Sequence, residues 1–130
     1  MSNFAVLYFN IVKEQIKQLY QDSPNVKRIV NILDDGANVS CLGLNGSSKS
    51  YIVAATSEHL GGHNFVICND KENAAYFYND LENIFGERDT DYSKKRVLFY
   101  PTSYKRPYEP EKSDNTYILS RTEVLQRISS

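Results

Sequence analysis

Apolar and polar positions along this chain repeat with two different periods. Val12, Ile16, Leu19 and Tyr20 recur at helical spacing, with charged and amide residues between them. Ahead of them, Phe4, Val6, Leu7, Tyr8 and Phe9 crowd the first ten residues without a decisive period, and a short strand and a docking arm both stay open. Asp22-Ser23-Pro24 stops the first helix. Ser23 as N-cap and Pro24 at the first helical position start a second one. Val26, Ile29, Val30 and Leu33 give it a single apolar face, and Gly36 closes it.

Beyond Gly36 the pattern changes to short apolar runs separated by helical stretches. Asn38–Leu42, Asn64–Cys68 and Arg96–Tyr100 each predict a strand, and the run Asn64–Cys68 suits one buried on both faces. A helix is expected from Lys49 to Leu60, ended by Gly61-Gly62. Asp70 is placed to cap another, in which Ala74, Phe77, Tyr78, Leu81, Ile84 and Phe85 keep a 3.6-residue period up to Gly86. Residues 87–95 are polar and charged and read as a surface loop. Residues 102–115 hold Pro107, Pro110 and many charges without apolar period, hence an exposed irregular loop. Tyr117–Ile128 reads as a last helix with Ile118, Leu125 and Ile128 on one side. Alternating strands and helices predict an α/β fold, a three-layer α/β/α sandwich with a mainly parallel sheet. One domain is expected over residues 1–130, with leading helices in 1–36 and the α/β core in 37–130. Its stop on a helix reads as a fragment of something longer.

With 15 basic and 16 acidic residues the formal net charge is −1, which removes any global signature for nucleic acid or an anionic membrane. No apolar run approaches the length of a membrane span, and the N-terminus lacks the basic and apolar regions of a signal peptide. Cys41 and Cys68 lie in expected strands and read as buried small apolar residues, which suits a reducing, cytoplasmic setting.

The stretch that carries candidate chemistry is Gly43-Leu44-Asn45-Gly46-Ser47-Ser48-Lys49-Ser50. A phosphate-binding P-loop is written G-x-x-x-x-G-K-[ST]. Gly43, Lys49 and Ser50 fit it, and Ser48 stands where the second glycine belongs. In a working loop, backbone N–H groups and the following helix N-terminus cradle phosphate, the lysine reaches the terminal phosphates, and the hydroxyl holds Mg²⁺. A Cβ at Ser48 costs about 1 kcal/mol or more if that residue needs positive φ. A weakened cradle for ATP and Mg²⁺ and a loop closed on itself both stay open, as does a plain strand-to-helix turn. The nucleotide-binding candidates are Gly43, Gly46, Ser47, Ser48, Lys49 and Ser50. Catalytic residues are not assigned, because no apolar run ending in Asp-Glu follows to supply the acidic partner that hydrolysis needs.

Other residues carry weaker signals. Asp70 follows an expected strand and reads as an N-cap before it reads as a metal ligand. Glu58-His59 and His63 lack zinc-protease spacing, since the glutamate lies outside the histidine pair and Gly61-Gly62 interrupts the helix. Tyr100, Tyr104 and Tyr108, with Lys105 and Arg106 among them, make an aromatic and basic loop of the kind that grips single strands. Glu109, Glu111 and Asp114 dilute its field, so a polar surface loop is the favoured reading.

In order and spacing these segments resemble the UvrB family. GLNGSSKS is similar to its motif I, Phe65–Gly86 resembles the strand and helix holding motif Ia, and Val97–Arg121 resembles the strand, proline-bearing loop and helix that follow. The likeness covers about residues 38–128. The family implies a P-loop NTPase, helicase-like fold, here a partial RecA-like domain. Its module is shared by UvrB and the N-terminal region of the bacterial transcription-repair coupling factor, Mfd. Ser48 in the motif, the sparse tyrosines of residues 100–108 and the two leading helices favour Mfd. That resemblance implies a non-catalytic scaffold subdomain with a degenerate loop. The implied partners are the rest of the same polypeptide, including an inserted UvrA-binding domain, and, in the full protein, UvrA, RNA polymerase and DNA. The parent protein would be an ATP-dependent DNA translocase. The alternative is an active nucleotide-binding domain of a UvrB-type helicase.

Overall fold

The computed structural model describes residues 3–101 and 115–130. Their regular structure is α1 (Asn3–Asp22), α2 (Pro24–Asp34), α3 (Ser48–Leu60), α4 (Lys71–Phe85), a 3₁₀ turn (Tyr92–Lys94) and α5 (Asn115–Ser129). No strand forms among the described residues, which overturns the expected three-layer α/β/α sandwich with its parallel sheet. Asn38–Leu42, Asn64–Cys68 and Arg96–Tyr100 instead run as unpaired segments between helices. An apolar, β-branched run has the propensity for a strand, but a strand exists only where backbone pairs with backbone. Here the side chains that a sheet would bury stand in solvent, Leu42 at 90% and Ile67 at 95% of full exposure. Cys41 is exposed for the same reason, against the expectation of a buried thiol.

The helices follow local rules. Residues 3–10 form neither a strand nor an arm: they belong to the 20-residue α1. Pro24 occupies the start of α2, and Ser23 the N-cap position, although its side chain makes no capping bond. At α4 the capping is complete. Asp70 Oδ1 accepts the Asn73 N–H at 2.7 Å, and that bond chiefly holds the Asp70 carboxyl below its usual pKa. At the other end Gly86 adopts φ 70° and ψ 29°, and the Glu87 N–H bonds the Glu82 carbonyl at 2.8 Å, a left-handed closure that suits glycine.

The core is built around α3, which packs against α1, α2 and α4. Tyr51, Ile52, Val53, Ala54 and Ala55 follow one another in its sequence, so the helix has apolar residues all round and needs cover on more than one side. Ala54 meets Leu81 and Ile84 of α4, and Tyr51, Phe77, Phe85 and Val97 pack around them. Val26 of α2 is also buried.

Residues 88–94 are exposed or half-buried, as a surface loop requires, but the two ends of the stretch depart from that expectation. Glu87 and Lys95 are both buried. Lys95 Nζ pairs with the carboxylate of Glu82 and lies 3.5 Å from the Tyr78 hydroxyl. Burial and the hydrogen bond to Glu82 push the Tyr78 phenol well above its ordinary pKa. The Glu87 carboxylate accepts the Arg96 N–H at 2.9 and 3.0 Å and the Val97 N–H at 3.1 Å, and the Arg96 Nε at 3.3 Å. A buried carboxylate needs such compensation, and here backbone amides supply most of it.

Candidate phosphate-binding loop

The loop Gly43–Ser50 enters α3 without a preceding strand. Gly43 and Gly46 hold φ values of 75° and 53°, which favour glycine, and a Cβ on either would meet nothing within 4 Å. Ser47 is the N-cap residue, and its side chain makes no capping bond. Ser48 is the first residue of α3. Its backbone is helical, so the left-handed strain that threatens a serine at this motif position does not arise. Instead the serine closes the turn locally. Its hydroxyl donates to the Asn45 carbonyl at 2.6 Å, and its N–H reaches the same oxygen at 3.3 Å.

Lys49 and Ser50 are directed differently. Lys49 is exposed at the helix start. Ser50 is only 2% exposed, and its hydroxyl donates to Asp80 Oδ2 on α4 at 3.0 Å. Next to it Tyr51 stacks on Tyr20 of α1, ring centroids 5.1 Å apart. Burial first, and then the charge of Asp80, raise the Tyr51 phenol above its ordinary pKa. Chemically, the start of α3 offers a positive helix end and one exposed ammonium, a weak attractor of anions. The hydroxyl that would bind Mg²⁺ in a working loop faces the helix interface and is committed to a carboxylate. The residues as placed do not fit a nucleotide-bound Mg²⁺ at the loop.

The structure thus joins Ser50 to Asp80, a partner that the P-loop reading missed. Its signal was legible: Phe77, Asp80, Leu81 and Ile84 share one helical face, so an acidic residue stands inside the apolar stripe of α4. The other candidates are dispersed. Glu58 takes an ion pair from Lys17 at 3.0 Å and another from Arg96 at 3.7 Å, and His59 Nε2 lies 3.4 Å from the Gln21 carbonyl. Among the described residues no three of His, Cys, Asp and Glu converge on one point. Tyr100 lies under the Arg121 guanidinium at 5.4 Å. Tyr104, Lys105, Arg106 and Tyr108 lie outside the described residues. No described helix is long and apolar enough to cross a membrane.

Comparison with known proteins adds a partial likeness. The chain is 30% identical over 111 residues to UvrABC system protein B of Dechloromonas aromatica (strain RCB). The match covers 84% of this chain and 14% of that protein. The relationship is UvrB-like and does not single out the coupling factor. No family model matches the chain, and no solved structure matches it.

Proposed function

We propose that this chain is a non-catalytic scaffold module of a UvrB-like DNA-repair protein, of the coupling-factor type, in which the loop Gly43–Ser50 no longer serves a nucleotide. One observation carries the reading: the Ser50 hydroxyl is buried and donated to Asp80 rather than turned to the mouth of the loop. In such a protein the module supports other parts of the polypeptide, while recruitment of UvrA, action on RNA polymerase and movement on DNA belong to the whole protein. The sequence likeness, which spans 84% of this chain, supports the assignment to DNA repair.

A second reading, a working nucleotide site, is favoured by the exposed Lys49 at the start of α3 and by two left-handed glycines before it. Calorimetric titration of MgATP and MgADP into the wild-type chain, Ser48→Gly and Lys49→Ala separates the two. No heat for the wild type and none for Ser48→Gly is the expected result, because Ser50 stays held by Asp80 in both. Micromolar binding lost in Lys49→Ala would overturn the proposal and leave the working nucleotide site in its place.

A further inference from the structure

α5 is attached to the rest of the described structure differently from the other helices. Among the described residues the buried apolar side chains of the core are Val26, Ala54, Ala55, Leu81 and Ile84, and none of these belongs to α5. Its own large apolar side chains stay open: Leu119 is 69% exposed, Ile118 56% and Leu125 52%. Ser120 and Val124 on it are half-buried, and cations make a set of contacts between it and other segments. The Arg127 guanidinium donates to the Ser93 carbonyl at 2.6 Å, to the Tyr92 carbonyl at 3.4 Å, and to the Lys95 carbonyl. These carbonyls lie on and just after the 3₁₀ turn, and that of Tyr92 also accepts the Lys95 N–H at 3.2 Å. Glu123, one turn earlier on α5, accepts from Arg127 Nε at 2.8 Å and fixes the orientation of the planar fork. Arg121 over Tyr100 and Lys71 over Tyr117, at 5.4 and 5.0 Å, add cation–π contacts along the same helix.

We propose that α5 is a detachable strap, latched by Arg127 onto the carbonyls of residues 92–95, which opens as a unit while the α1–α4 bundle stays folded. The physical ground is the difference in kind between the two attachments. Helices that share a buried apolar cluster open together, whereas a helix with no residue in that cluster can open without breaking it. Releasing α5 would free the carbonyls of Tyr92, Ser93 and Lys95 and uncover the Tyr100 ring, while Val97 stays packed on α3 and α4. Glu123 is a positioning residue for the latch, because it reaches residues 92–95 only through the Arg127 side chain.

Hydrogen–deuterium exchange on the full chain, resolved by peptide, tests this with wild type, Arg127→Lys, Arg127→Ala and Glu123→Gln. In Arg127→Ala, amides of α5 should exchange about tenfold faster, as expected for loss of a charged hydrogen-bonded contact, while α3 and α4 keep wild-type protection. Arg127→Lys keeps the charge and loses the fork, so it should fall between wild type and Arg127→Ala, and Glu123→Gln should shift α5 in the same direction by less. Unchanged α5 exchange in Arg127→Ala, or α3 and α4 losing protection in parallel with α5 in any of the three variants, would overturn the strap.

Discussion

Thr56 carries a hydroxyl that is buried on α3 and has no hydrogen-bond partner among the described residues. Desolvating a hydroxyl without a partner is unfavourable, so removing it recovers that cost. Thr56→Val, nearly the same shape, is expected to raise stability by about 1 kcal/mol in urea unfolding. Lys95 is the opposite case. Its ammonium is the counter-charge of a carboxylate, with both side chains about 10% exposed. Lys95→Met leaves Glu82 buried without its counter-charge, and a loss of about 3 kcal/mol is expected by the same measurement. A double variant, Lys95→Met with Glu82→Leu, should return most of that loss, because the unpaired charge is gone. Neither burial was read from the sequence, since charged residues between 87 and 95 argue for solvent. The legible hint was Glu82, one turn after Tyr78 on the apolar face of α4.

At the scale of elements, α4 shows what short-range chemistry determines. Asp70 before the apolar period and Gly86 after it mark both ends in the sequence, and both ends are observed. Helix caps are legible because each needs only residues within one turn. The Asp70 carboxyl titrates below its ordinary value in the folded chain, so the cap stabilises fully above the unfolded pKa of about 4. That contribution is lost as pH falls through the lower folded value. Chemical-denaturation midpoints taken from pH 6 to pH 2 should therefore show a smaller fall for Asp70→Asn, which keeps an accepting oxygen but has no charge to lose. At the other end, Gly86→Ala meets only ordinary contact, 3.9 Å from Lys13 Nζ, so its cost is backbone strain alone. A loss of about 1 kcal/mol is expected for that left-handed residue. Strands were the opposite case. Residues 64–68 have the composition of a buried strand, but composition does not name the backbone that would pair with it, and none of the described segments does so. For the candidate loop, the motif located the turn and the helix start, while the direction of Ser50 depended on Asp80, thirty residues away.

For the whole molecule, the consequence of missing strand pairing is a surface rich in apolar side chains. Leu42, Phe65 and Ile67 stand beyond the α3-centred core, and Phe4, Leu7 and Phe9 do the same on α1. Exposed, uncharged segments of high β-propensity are templates for association between chains, and a net charge of −1 offers little repulsion. Leu42→Lys with Ile67→Lys should leave the unfolding free energy within about 0.5 kcal/mol, because neither side chain touches the core. The same pair should lower the concentration dependence of the sedimentation coefficient. A large drop in stability would instead mean that these side chains have partners in the folded chain. The Glu87 carboxylate bears on this molecule in another way. It sits at the start of a loop and binds the backbone where the loop returns, at Arg96 and Val97. Entry and exit are thereby stapled at one residue, so the covalent link at Arg88 is not all that holds the two sides of the loop together. A chain cut after the exposed Arg88 would remain one particle made of two pieces, and new termini or an inserted tag there would leave this staple in place.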